Sequence, residues 1–185
     1  TTTRRDIWGA RFWAELAQDL HLPQGGFEAM LSYDPALVDQ VFGHAAARLQ
    51  RSRDSLLEDL GHYLVAHPRR DGIRRLLRFG GHALTDFLLL LEDLPGRVRL
   101  AVPDLHLPDL RVEQPAPDGF LLTVQGTDLF PAHQTAMVLQ GLLRAMADDY
   151  GALALIEPAG AGRLAITVLD GAHATARAFA LAATP

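Results

Sequence analysis

Apolar residues recur every three or four positions through the first half of the chain, a period that is typical of amphipathic helices. The pattern predicts helices at about 8–21, 35–49, 52–67, 73–77 and 82–94. Asp34 and Pro35 form a favourable start for the second helix, because aspartate caps a first turn and proline tolerates its first position. Ser52 or Asp54 is expected to cap the third helix. The segment 27–31 is expected to be a short helix or an extended stretch.

The pattern changes after residue 109. Short apolar runs predict strands at 110–114 and 120–124, joined by the turn sequence 115–119 with its prolines and glycine. A helical period returns at 131–150 and ends at Gly151, a residue suited to a left-handed cap. Further strands are predicted at 152–157 and 163–169. The tail at 172–182 is expected to be a last helix or an irregular end.

This order of elements predicts the α+β fold class, with an N-terminal helical subdomain packed on a C-terminal half that contains a four-stranded antiparallel sheet and helices. We expect a single domain over 1–185. Its parts would be a helical subdomain at about 1–79, a helix-and-sheet subdomain at about 80–170 and a C-terminal tail at 171–185. Neither a repeat nor a low-complexity linker divides the sequence.

Composition and charge limit the classes of partner that this protein is expected to bind. The formal charge of −5 argues against a nucleic-acid partner, which requires a concentrated basic surface. The apolar run Phe87 to Leu91, like every other uninterrupted apolar run in the sequence, is too short to span a membrane, and no signal-peptide core follows the basic start. We therefore expect a cytoplasmic protein without a membrane partner. Without cysteine the chain has no disulfide and no thiolate, so its eight histidines are the available nitrogen ligands.

The sequence predicts no enzyme. It contains no phosphate-binding loop, dinucleotide fingerprint, zinc-protease helix or nucleophile elbow. The adjacent acidic pairs at 92–93 and 148–149 would leave a helix about 100° apart, so neither pair can clamp one reacting atom, and solvated helix faces explain them better. His62 and His67 are five residues apart, which is a poor spacing for a shared metal ion.

The segment 86–94, Asp-Phe-Leu-Leu-Leu-Leu-Glu-Asp-Leu, combines an apolar run led by phenylalanine with acidic residues. A glycine–aromatic segment at 57–65 precedes it, and the proline-containing segment 107–113 follows it. In this order and spacing, the segments resemble the haem nitric-oxide/oxygen-binding (H-NOX) family of bacterial-type sensory domains. The resemblance covers about 5–169. It implies the H-NOX fold, and it implies nitric oxide or oxygen sensing through haem.

Two features of the family are replaced in this chain. By the resemblance, the axial histidine that ligates the haem iron falls on Pro95, which has no lone pair to give. The Tyr-x-Ser-x-Arg motif that holds the haem propionates falls on 124–128, Val-Gln-Gly-Thr-Asp, where the anionic Asp128 would repel them. Haem is thus the cofactor that the resemblance implies, and Pro95 leaves the actual cofactor unknown. Pro95 and Gly96 are also expected to disrupt the helix that moves in the family when the iron–histidine bond breaks.

The resemblance assigns the ligand pocket to Leu91, Leu94, Pro95, Pro108, His133 and Met137. Leu91 and Leu94 would be apolar lining on the proximal side, and Pro108 matches a proline that contacts haem in the family. His133 stands near the place of a distal tyrosine of oxygen-binding members. It is therefore the candidate substitute metal ligand, although a polar residue at a helix start is the simpler interpretation.

Three interpretations remain open at this point. The first is a haem-free or atypically ligated sensor that binds a small apolar or tetrapyrrole ligand and regulates a separate signalling effector protein. In that case, ligand or partner binding would shift the helical half against the sheet half. The second is a genuine haem sensor that uses His133 or another histidine. The third is a protein-interaction module whose pocket is filled by side chains.

Overall fold

The computed structural model describes residues 9–22, 33–68, 71–78, 81–101 and 107–170. Within these ranges the helices are α1 (Ala10–Asp19), α2 (Pro35–Leu49), α3 (Arg53–Ala66), α4 (Asp71–Arg78), α5 (Leu84–Leu89), α6 (Leu94–Ala101) and α7 (Ala132–Tyr150). The strands are β1 (Leu110–Ala116), β2 (Gly119–Val124), β3 (Leu153–Pro158) and β4 (Arg163–Asp170). The α+β class is confirmed. None of the helices in these ranges has the length and apolar content needed to cross a membrane.

Helix ends follow the local signals of the sequence. The Asp34 carboxylate accepts a hydrogen bond from the Ala36 N–H at 2.8 Å, and Pro35 is the first residue of α2. Of the two candidate caps for α3, Ser52 is the one used, since its hydroxyl accepts a hydrogen bond from the Ser55 N–H at 3.1 Å. Gly151 ends α7 in the left-handed conformation with φ of 66°. The predictions for 27–31 and 172–182 lie outside the described residues.

The four strands form one antiparallel sheet with the order β1-β2-β4-β3. Side chains alternate between its two faces, as the period of two requires. The inner face is buried: Phe120, Leu122, Val124, Ile156, Leu164 and Ile166 are each at most 3% exposed. This face contacts α7, which also packs on α3 of the helical half. The hydrophobic core accordingly includes residues from both halves.

The single helix predicted at about 82–94 is wrong. The chain forms α5, then a 3₁₀ turn at Leu91–Asp93, and then α6, which the sequence interpretation missed. Pro95 explains the break, because its ring would clash with the Leu91 carbonyl and it has no N–H to donate in a continuous helix. As the second residue of α6 it lies in the first turn, where a backbone N–H would have no partner. The expected disruption is therefore present, but it precedes Pro95.

Candidate functional site

One side of the broken helix, which consists of α5, the 3₁₀ turn and α6, is buried from Leu84 to Val98. Leu91 is 1% exposed, Leu94 is 4% exposed and Val98 is 3% exposed. Pro95 lies in the same stripe and is also buried. The residues on the opposite side, such as Leu89 and Leu100, are exposed. The three positions assigned to the proximal side of a pocket therefore lie on one buried side of the helix, and Leu91 and Leu94 are part of the hydrophobic core.

The 3₁₀ turn of the broken helix is fixed to the sheet. The Glu92 carboxylate accepts a hydrogen bond from the Val112 N–H of β1 at 2.6 Å. β1 is an edge strand, so this N–H has no strand partner on that side. Within the break itself, the Arg97 guanidinium donates to the Leu90 carbonyl at 3.4 Å. Glu92 was expected to be merely solvated, whereas its carboxylate positions the turn against β1.

Two further pocket positions, Met137 and Pro108, lie in different environments. Met137, on α7, is 5% exposed and belongs to the same core as Leu91 and Leu94. Pro108 is half-buried on the segment that leads into β1. Met137 is thus grouped with the proximal leucines in one apolar cluster, and Pro108 lies at the edge of the described fold.

His133 points away from this cluster. Its side chain is 47% exposed, and its Nε2 lies 3.0 Å from the Asp54 Oδ2 of α3. Beside this pair, the Arg53 guanidinium donates to the Gln134 Oε1 at 3.3 Å. Among the described residues no histidine is buried, and His67, at the end of α3, is the one that is half-buried. These contacts favour the simpler interpretation of His133 as a polar residue that ties α7 to α3.

The segment 124–128 forms a compact turn of its own. Val124 is buried at the end of β2, and Asp128 is exposed. The Thr127 hydroxyl accepts a hydrogen bond from the Phe130 N–H at 3.1 Å, and the Thr127 N–H donates to the Phe130 carbonyl at 2.8 Å. The Phe130 ring then packs edge-on against Phe42 of α2, with 5.8 Å between ring centroids. This turn therefore joins the sheet half to the helical half directly.

A buried charged cluster at the end of α7 was not anticipated. Asp149, expected to be a solvated residue, has a side chain that is 7% exposed and pairs with Arg74 and, at 3.4 Å, with Arg78 of α4. Arg78 also lies over the Tyr150 ring, 4.3 Å from its centroid. Burial raises the pKa of the Tyr150 phenol, and the nearby Arg78 charge opposes that rise. The four-residue spacing of Arg74 and Arg78, which places both on one face of α4, is the sequence signal that could have predicted this charged cluster.

An open cleft of about 320 Å³ lies near the end of α3. His62 and His67 line it, together with Asp59 and Tyr63. In the part of the chain that the structure describes, no group of three or more histidine, aspartate or glutamate side chains is arranged to hold a metal ion. The cleft is therefore a surface depression beside two histidines whose five-residue spacing is poor for a shared metal ion.

Residues 1–152 match a protein-family model described as Haem-NO-binding. The chain belongs to this family, whose solved members are called H-NOX proteins. Solved members include an S. oneidensis H-NOX protein in the Fe(II)NO state and an oxygen-binding H-NOX domain related to soluble guanylate cyclases. The H-NOX resemblance inferred from 86–94 and its flanking segments is thereby confirmed.

Known relatives agree with this assignment. The chain is 29% identical over 97 residues, 52% of its length, to the guanylate cyclase soluble subunit beta-2 of Rattus norvegicus, of which the match covers only 14%. A solved point mutant of the T. tengcongensis H-NOX is 13% identical, with a TM-score of 0.71 over 91% of this chain and 93% of that one. An S. oneidensis H-NOX triple mutant in the Fe(II) state is 17% identical, with a TM-score of 0.73 over 92% of each chain. These structural matches establish the H-NOX fold.

The residues at the expected haem positions do not fit that group in the manner of the family. Pro95 is buried and offers no lone pair, while His133 is bonded to Asp54 on the surface. Thr127 is engaged in the turn with Phe130, and Asp128, at the position that the resemblance assigns to propionate binding, is exposed and anionic.

Proposed function

We propose that this chain is a regulatory domain of the H-NOX family that acts on a separate effector protein without a histidine-ligated haem, the position of the family's iron ligand being taken by Pro95. The observation that carries the proposal is the buried Pro95 itself, which supplies the apolar surface of an H-NOX helix but none of its coordination chemistry. The name of the rat relative, a guanylate cyclase subunit, supports a signalling enzyme as the class of effector. The chain itself would not be a catalyst.

Regulation would then depend on how the two halves of the domain are held together. Three polar contacts tie α3 to α7: Asp54 with His133, Arg53 with Gln134, and Glu58 with Arg144. Phe42 and Phe130 add an apolar contact between α2 and the segment before α7. A ligand or partner that bound one arrangement of these contacts better than another would shift the population of that arrangement. The effector would detect that shift.

The test is the absorption spectrum of the purified protein before and after incubation with hemin under reducing conditions, with and without nitric oxide. We expect no stoichiometric histidine-ligated Soret band and no shift with nitric oxide. A sharp Soret band that shifts with nitric oxide would contradict the proposal. In that event a His133→Ala variant, with His82→Ala as the exposed control, would report whether His133 is the substitute ligand.

A further inference from the structure

We infer that the space a haem would need in this H-NOX domain is closed by the chain's own side chains, so that a tetrapyrrole is excluded by lack of room as well as by the lost ligand. The inference rests on the proposed function above, and it deepens that proposal. It separates two reasons why haem does not fit this domain: the iron ligand is missing, and the space for the macrocycle is filled. A chain that had lost only its iron ligand would keep an open pocket.

The broken helix supplies the first observation. A side chain that lines an open pocket keeps surface that a water molecule can reach. Leu91 and Leu94 keep 1% and 4% of theirs, and Pro95, the next residue, is also buried. Protein atoms therefore cover this whole side of the helix, including the position from which the family's ligand would reach iron.

The second observation comes from α7. Met137, assigned to the same pocket, is 5% exposed and belongs to the hydrophobic cluster that contains Leu91 and Leu94. Methionine is flexible and fills irregular spaces in a core. Residues expected on the two sides of a ligand are thus both buried in the hydrophobic core, with at most 5% of their surface exposed.

The third observation lies where the two halves meet. The turn at Thr127 directs Phe130 against Phe42 of α2, so an aromatic pair occupies the junction next to the segment that should grip propionates. Interiors packed in this way leave few voids larger than a water molecule. A planar macrocycle could enter only by separating contacts that now hold the halves together.

Metal-free protoporphyrin IX distinguishes volume from coordination, because it has the size and shape of haem but needs no iron ligand. We would titrate it into the wild-type protein at micromolar concentration and follow tryptophan fluorescence, since Trp13 is buried in the core. We expect no saturable one-to-one quenching. Saturable one-to-one binding would overturn the closed pocket while leaving the proposed function intact.

A second arm uses the Pro95→His variant, which restores an imidazole at the ligand position, with Pro95→Ala as the matched control for folding by circular dichroism. We expect the folded Pro95→His protein to remain without a histidine-ligated Soret band after hemin is added. A stoichiometric band in this variant alone would mean that only the ligand was missing, and would refute the inference. A histidine-ligated band in the wild type would refute the proposed function as well. If Pro95→His does not fold, the wild-type titration decides.

Discussion

Gly61 of α3 and Gly141 of α7 lie at the same helix crossing, and each is required there by the backbone of the other helix. A Cβ atom at Gly61 would come within 1.8 Å of the Val138 carbonyl oxygen, and one at Gly141 within 1.8 Å of the Glu58 carbonyl oxygen. The two backbones are therefore in direct contact. This crossing joins the helical half to the sheet half, so a relative movement of the halves would have to pivot about it or separate it.

We expect Gly141→Ala to destabilise the protein by about 3 kcal/mol or more, because the added methyl group must push α3 away from α7. Gly43→Ala is the matched control. Gly43 lies on the exposed side of α2 with no atom within 4 Å of its Cβ position, and alanine there should stabilise by about 0.5–1 kcal/mol. Urea unfolding gives both free energies. Equal effects of the two substitutions would contradict the close crossing.

The ion pairs of Asp149 with Arg74 and Arg78 predict that a small substitution at Asp149 lowers the stability of the fold substantially. Asp149→Asn should lower the free energy of unfolding by about 3 kcal/mol, because it removes the charge that compensates the partly buried Arg74 and Arg78. Asp148→Asn, next to it on the exposed side of α7, should change the free energy by less than about 0.5 kcal/mol. Thermal and urea unfolding check the difference, and a neutral Asp149→Asn would mean that the pairs contribute nothing net.

Tyr150 predicts a loss of stability at alkaline pH. Burial raises the phenol pKa in the folded protein above its value in the unfolded chain, so the fold favours the protonated phenol. That contribution is complete below the unfolded pKa of about 10 and disappears as the pH rises through the folded pKa. Wild-type stability should therefore fall above about pH 10. Tyr150→Phe keeps the ring against Phe87 and Arg78 and should lack this part of the fall. Parallel curves for the two proteins would refute the assignment to Tyr150.

The hydrogen bond between Glu92 and Val112 predicts a local change in amide exchange. Glu92→Ala should speed exchange of the Val112 N–H by roughly tenfold, because that amide at the free edge of β1 would then bond only to water. Asp93→Ala removes a neighbouring exposed carboxylate and should leave the rate unchanged. Amide hydrogen exchange followed by NMR provides the rates. Val112 rates that are the same in both variants would show that the carboxylate does not protect this amide.

Most of the described helices and strands were predictable because their signals are local. Asp34 with Pro35, Ser52 and Gly151 mark helix ends through contacts within a few residues, and alternation marks β2 and β4. The helix at 82–94 was mispredicted because its apolar stripe continues through Pro95, and periodicity alone cannot place the break. The division into subdomains at about 79 and the assignment of the six pocket positions remain predictions.

By itself, the sequence determined the α+β class, the family and most of the order of the elements, because each depends on residue identity and spacing along the chain. Only the tertiary structure decided that His133 bonds to Asp54, that Asp149 is buried between two arginines, and that Leu91 and Met137 belong to one packed core. Those outcomes join residues far apart in sequence. Their energies come from burial and pairing, which exist only once the helices and the sheet are packed together.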